Sequence, residues 1–158
     1  MKCPTCRHEM KSTREAFRYE AVGLPGVVLA DVEVRRCPNC GETSVSIPRI
    51  EDLHRVIAWD VIQKPERLTP EEVRFLRKYL GFSSADFAAH LGVAPETASR
   101  WETGAQAMGV TADRLLRLMV ATREPVKDYA LQLPRVATLD PKPTRLRLRA
   151  GPSGWAAA

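Results

Sequence analysis

The spacing of apolar positions changes near residue 48. Before it, residues 17–22 and 27–34 are rich in aromatic and β-branched side chains, and Val28, Ala30, Val32 and Val34 alternate with residues that include two acids. A period of two predicts strands. Gly23-Leu24-Pro25-Gly26 between the two runs is a turn signal, so the pair reads as a β-hairpin. From Pro48 the period lengthens. Ile50, Leu53, Ile57 and Val61 fall on one helical face, and Lys64-Pro65 ends the helix because proline disfavours helix at the residue before it.

The same longer period continues over residues 69–123 and predicts four short helices. Thr69-Pro70-Glu71-Glu72 opens the first with a threonine cap, a proline at the first position and a glutamate at the third. Val73, Leu76 and Leu80 follow on one face, and Gly81 stops it. The second starts at Ser83 or Ser84, buries Phe87, Ala88 and Leu91, and ends at Gly92. The third runs from about Pro95 to Thr103, with Gly104 as its stop. Thr111 opens the fourth, whose inner face is expected to carry Leu115, Leu118 and Met119. After Pro134 no period survives, and the proline-, arginine- and alanine-rich remainder predicts disorder.

The expected organisation is therefore α+β: a hairpin-plus-helix N-terminal unit at 1–63, a linker at 64–68, an all-α unit at 69–133, and a basic, disordered tail at 134–158. With 44% hydrophobic and 6% aromatic residues, two small cores fit better than one large one. No apolar run approaches membrane-spanning length, and the Met-Lys-Cys-Pro start has no signal-peptide character. A cytoplasmic protein without a membrane partner is expected. The net charge of +5 is unevenly spread. Residues 1–65 carry 10 basic and 9 acidic side chains, 66–125 carry 8 of each, and 126–158 carry 6 and 2. The excess sits in the tail, which suggests either a phosphate-binding arm or a solubilising one.

All four cysteines lie in Cys3-Pro-Thr-Cys6 and Cys37-Pro-Asn-Cys40. Two such knuckles complete a tetrahedral thiolate site for one structural zinc ion, and the hairpin between them returns the second to the first. Gly41 suits the tight turn after the second knuckle. Paired disulfides do not fit a chain without an export signal, and a redox dithiol needs one Cys-x-x-Cys. Iron in a rubredoxin-like site is the sharper rival, because tetrahedral sulfur suits both metals. His8 could also ligate, but four thiolates already fill the shell. His54 and His90 fall on helices away from the knuckles. A closed site leaves no position for water or substrate, and no Ser-His-Asp set or phosphate loop occurs, so no enzymatic activity is expected.

Residues 82–104 have the organisation of a helix-turn-helix. Ala88 is small where the next helix crosses, Gly92 makes the turn, Val93 plugs the gap, and Ala98 and Trp101 face inward. That leaves Glu96, Thr97, Ser99 and Arg100 on the outer side, where base edges are met. Arg100 is the first candidate, since arginine bonds guanine in bidentate fashion. Glu96 could accept from cytosine, and Ser84 and Thr97 could reach phosphates. A small helical bundle that binds protein is the bland alternative.

The segment resembles the XRE-type helix-turn-helix family, with Trp101-Glu102 followed by Gly104. The N-terminal unit resembles the YgiT-type zinc finger: Cys-Pro-x-Cys, a hairpin, and a second Cys-Pro-x-Cys followed by glycine. The two in this order resemble the MqsA antitoxin family over roughly residues 1–125. The resemblance implies a homodimer held by the C-terminal domain, a palindromic double-stranded DNA operator, repression of the shared operon, and toxin binding by the zinc unit. It puts Arg100 in a base-reading place. Glu96 departs from the family's asparagine and Ala94 from its usual cap, and the tail has no counterpart. Two other functions remain in view. One is a stand-alone zinc-containing regulator, and the other is a rubredoxin-like iron electron carrier fused to a helical module.

Overall fold

The computed structural model describes residues 1–123 and 139–158. Positions 124–138, which include the expected end of the helical unit at 133 and the start of the tail at 134, lie outside the described residues. Over the described residues the chain folds as a small N-terminal sheet region followed by five α-helices. It then returns to the sheet with a last pair of strands.

Strand β2 (Val27–Arg36) is the centre of the sheet. β1 (Lys11–Arg18) pairs antiparallel along one of its edges. The other edge is shared. β3 (Thr43–Ser46) runs antiparallel to Glu33–Arg36, while β4 (Leu146–Gly151) lies parallel to residues 27–30. β5 (Gly154–Ala157) closes the sheet beyond β4.

The first strand was expected at 17–22. It forms instead at 11–18, and residues 20–22 make a turn of 3-10 helix. The sequence hides β1 because it is an edge strand with little apolar character. It pairs with β2 along one side only, and its side chains are held by cross-strand ion pairs, Glu15 with Arg36 at 2.6 Å and Arg14 with Asp31 at 3.1 Å. The inward face of β2 also differs from simple alternation. Asp31 adopts φ +55° in a bulge opposite 15–17, which shifts the register by one residue. The core face is therefore Val27 and Leu29 before the bulge and Val32 and Val34 after it; Val28 is turned outward.

Helix α1 (Ile50–Gln63) lays Leu53, Ile57, Ala58, Val61 and Ile62 against this face, while Ile50 stays exposed. It ends before Pro65, as the sequence predicts. α2 (Pro70–Tyr79) has a full capping box: Thr69 Oγ1 accepts from the Glu72 amide, and Glu72 Oε2 accepts from the Thr69 amide at 2.8 Å. α3 (Ser84–His90) is capped by Ser83, and α4 (Pro95–Thr103) ends at Gly104. α4 has no side-chain cap, in keeping with alanine at position 94.

In α5 (Val110–Arg123) the expected inner face is wrong. Leu115 and Leu118 are exposed, and the buried positions are Asp113, Leu116, Arg117, Val120 and Ala121. Hydrophobicity failed there because an ion pair occupies the core. Arg117 Nε donates to Asp113 Oδ1 at 2.6 Å, with both side chains fully buried.

That pair explains the segment expected to be a linker. The Arg117 guanidinium also donates to the carbonyls of Ile62 (3.1 Å), Lys64 (2.5 Å) and Glu66 (2.6 Å), and Asp113 accepts from the Leu68 amide at 2.8 Å. Residues 62–68 are thus a held strap, tied at four points to α5. One continuous buried core extends from Leu29 and Val32 through α1 to Leu76, Phe87, Trp101 and Leu116.

The disordered tail is likewise corrected over the described residues 139–158. Leu148 and Trp155 enter the same core, which supplies the apolar burial that the tail's composition lacks by itself. Trp155 Nε1 donates to the Pro48 carbonyl at 2.6 Å, and its amide donates to Asp52 at 3.2 Å. Gly26, which reads as a turn residue, is small for a tertiary reason. A Cβ there would stand 1.8 Å from the Thr144 carbonyl oxygen, where the returning chain crosses β2. Thr144 bonds in turn to Glu72 Oε1, the other oxygen of the capping glutamate, and Lys64 pairs with that carboxylate at 2.6 Å.

Candidate functional site

The two Cys-Pro-x-Cys segments fold alike. Cys3 donates its amide to the His8 carbonyl (2.8 Å) and accepts from the Arg7 amide (3.0 Å); Cys37 does the same with Glu42 (2.9 Å) and Gly41 (3.0 Å). Each turn closes on a residue of positive φ, +65° at Arg7 and +77° at Gly41. Glycine adopts that conformation freely, and arginine does so at a cost of roughly 1–2 kcal/mol. The glycine was legible in the sequence, but the strained arginine was not.

This pseudo-symmetry brings the four sulfurs together within 4.8 Å of one another, with Cys3 to Cys40 at 3.6 Å and Cys6 to Cys37 at 3.3 Å. Sulfurs bound tetrahedrally to one ion at about 2.3 Å stand about 3.8 Å apart, so the cluster has the right size for a metal ion. All four cysteines are free thiols. Cys3 and Cys37 are buried, Cys6 is half-buried and Cys40 is exposed at the rim.

Two of the sulfurs show how strongly the thiols act on one another. The Cys6 thiol is pulled down to about 5, first by the His8 amide and then by its bond with Cys37. At Cys40 the Glu42 amide favours the thiolate. The contacts with Cys6, Cys3 and Cys37, together with desolvation, outweigh it and push the thiol up to about 12. Four thiolates cannot share so small a volume without a cation among them. Around the sulfurs the packing is thin. Cys3, Cys6, Cys37 and Met10 form a small cluster separate from the main core, so little apolar burial holds the knuckles together.

His8 lies beside this cluster, exposed, with Nδ1 3.2 Å from the Cys6 carbonyl oxygen. The other two histidines are elsewhere. His54 bonds the Tyr19 hydroxyl at 3.0 Å, and His90 packs on Phe82.

No family model matches the chain, and no curated protein or solved structure matches it either. Function must therefore be argued from the chain's own residues.

The second group of candidates lies on α3 and α4. These helices pack through Phe87 and Ala88 on one side and Ala98 and Trp101 on the other, all buried. The turn between them uses Gly92 at φ +66°, and the half-buried Val93 donates its amide to the Ala88 carbonyl. Glu96, Ser99 and Arg100 are exposed on α4, with Thr97 half-buried beside them; Ser84 is exposed at the start of α3. Among the described residues Arg100 forms no ion pair.

Pattern reading did not find what fixes the tilt of α4. Arg77 of α2 grips the Glu102 carboxylate with two bonds of 2.5 and 3.1 Å, and the pair is about nine-tenths buried. Arg74 adds a bond to the Glu102 carbonyl at 2.8 Å. The available signal was the charge pattern: Arg74 and Arg77 stand on the side of an amphipathic helix next to its apolar stripe, where a partner of opposite sign is expected. Among the described residues no helix is long and apolar enough to cross a membrane.

Proposed function

We propose that the protein is a zinc-stabilised, sequence-specific DNA-binding repressor, and that it serves as the antitoxin of a toxin–antitoxin pair. The observation that carries the first half is the exposed face of α4. It presents Arg100, Ser99 and Glu96, unpaired and in a row, on a helix braced from behind by the Arg77–Glu102 lock. A helix-turn-helix reads DNA with such a face, and arginine is the side chain best matched to the guanine edge. Zinc is the metal assigned to the four thiolates, since a closed sulfur shell suits a structural ion and leaves no reactive position. The antitoxin role, the homodimer, the palindromic operator and the toxin partner rest on the resemblance to the MqsA family.

The test is a selection of preferred duplexes from a random library, followed by binding of the wild type and Arg100→Ala. The substitution is expected to cost about 1–3 kcal/mol on the selected site and much less on random DNA. Equal losses on both would make Arg100 a backbone contact. Enrichment of no sequence at all would overturn the DNA-reading function. Co-purification with the product of the adjacent gene tests the antitoxin role, and its failure leaves a stand-alone regulator.

A further inference from the structure

The tail places a second charged surface on the sheet, on strands that do not pack against α4. Paired residues in a ladder point to the same side of a sheet, so the register fixes the composition of each face. Arg18, Val28 and Arg147 stand opposite one another across three strands, as do Ala30, Arg149 and Ala156 across β2, β4 and β5. Their neighbours Leu29 and Leu148 point the other way, into the core. Arg145 precedes β4 in the same alternation and is exposed with Arg147 and Arg149.

Charges elsewhere on the outer face are neutralised: Arg14 bonds Asp31, and Arg35 pairs with Glu33 at 2.7 Å. Among the described residues Arg18, Arg145, Arg147 and Arg149 form no ion pair, although Arg149 feels the charge of Asp31. Between them the surface is low, built from the half-buried Val28 and the exposed Ala156 around the buried Ala30.

We propose that this outer face binds the phosphate backbone of a nucleic-acid strand, independently of base reading by α4. Three arginines at alternate positions of one strand stand about 6.6–6.8 Å apart. That is close to the spacing of successive phosphates along a nucleic-acid chain. The planar guanidinium is also the side chain best suited to a phosphate oxygen pair. Fixing these like charges on an ordered strand is unfavourable unless an extended polyanion relieves it. A membrane surface is a poorer fit, because the side chains between these arginines are small, Val28 and Ala156, and offer no large apolar group to insert. A protein partner is poorer too, since such interfaces are centred on buried aromatic or aliphatic anchors. The face is turned away from α1, while α4 packs against α2, and α3 against α4, on the helical side.

The experiment uses the full chain with metal bound. It measures anisotropy on a random 30-base-pair duplex and on polyuridylate across a series of KCl concentrations. R145Q/R147Q/R149Q is expected to flatten the slope of log affinity against log salt by about 2–3 on the duplex and about 2 on the single strand. R100A should leave both slopes unchanged, and R145K/R147K/R149K should restore most of the lost slope. The duplex and RNA arms tell which backbone is preferred. Unchanged slopes in the glutamine variant on both probes would overturn the proposal. So would binding to phosphatidylserine vesicles with no binding to either nucleic acid. If the triple glutamine variant is unfolded by circular dichroism, R147Q alone decides, with an expected change of about 0.9 on the duplex. Failure of base reading by α4 would register separately, as loss of the selected-site preference with these slopes intact.

Discussion

Replacing Arg117 tests the architecture most directly. Its fully buried guanidinium satisfies Asp113 and three carbonyls of the strap at 62–66. Arg117→Met keeps the length and apolar stem of the side chain but leaves a buried carboxylate and three carbonyls without their donor. Breaking a buried ion pair from one side costs about 3–5 kcal/mol. The strap can partly relax toward water, which argues for the lower half of that range. For a chain of this size the loss lowers the melting temperature by roughly 6–20 °C. Urea unfolding followed by circular dichroism measures it. Asp113→Asn alone and the Arg117→Met/Asp113→Leu double variant complete a cycle. The double variant should recover part of the loss, because it removes both charges and leaves mainly the strap's amide and carbonyls unmet. Limited proteolysis should also open new cleavage within 64–68. A single variant within about 1 kcal/mol of wild type, with the strap still resistant, would refute the idea that this pair holds the sheet region to the helices.

Metal removal should act locally. Chelation or Cys37→Ser is expected to release residues 1–10 and 37–42, whose only apolar packing surrounds Met10, while β1 and β2 stay paired through the main core. Amide exchange maps this, and loss of protection throughout 11–36 would contradict it. Zinc rather than iron predicts a colourless protein that carries one metal ion per chain. Trp155→Ala should cost about 3–5 kcal/mol by emptying a buried site and freeing the Pro48 carbonyl; a near-neutral effect in thermal melts would show that the terminal hairpin is dispensable. His54 is partly buried and its pKa is lowered by desolvation. The unfolded chain therefore takes up a proton near pH 6.5 that the folded chain resists, and stability falls as the pH drops below that value. His54→Gln should remove this slope between pH 7 and 5.5 in denaturant titrations, and an unchanged slope would assign it elsewhere.

Local signals determined a good deal of this protein. The knuckles were legible because metal ligation needs a fixed ligand type at fixed spacing. Helices α2 to α4 were legible because caps, glycine stops and apolar stripes are properties of neighbouring residues. The exposure of Glu96, Ser99 and Arg100 followed from where Ala98 and Trp101 must point. Contacts between distant parts of the chain decided the rest. Leu115 and Leu118 look like core positions until Asp113 and Arg117 are seen to take that face together, and the pair is stable there because the strap at 62–68 supplies its partners. The final residues look disordered because they cannot bury enough apolar area alone. They order because the edge of β2 beside residues 27–30 offers backbone partners, and the core has room for Leu148 and Trp155. Periodicity records which face of a segment is apolar, but it does not record which polar groups will meet a partner from elsewhere in the chain, and those meetings set the remainder of this fold.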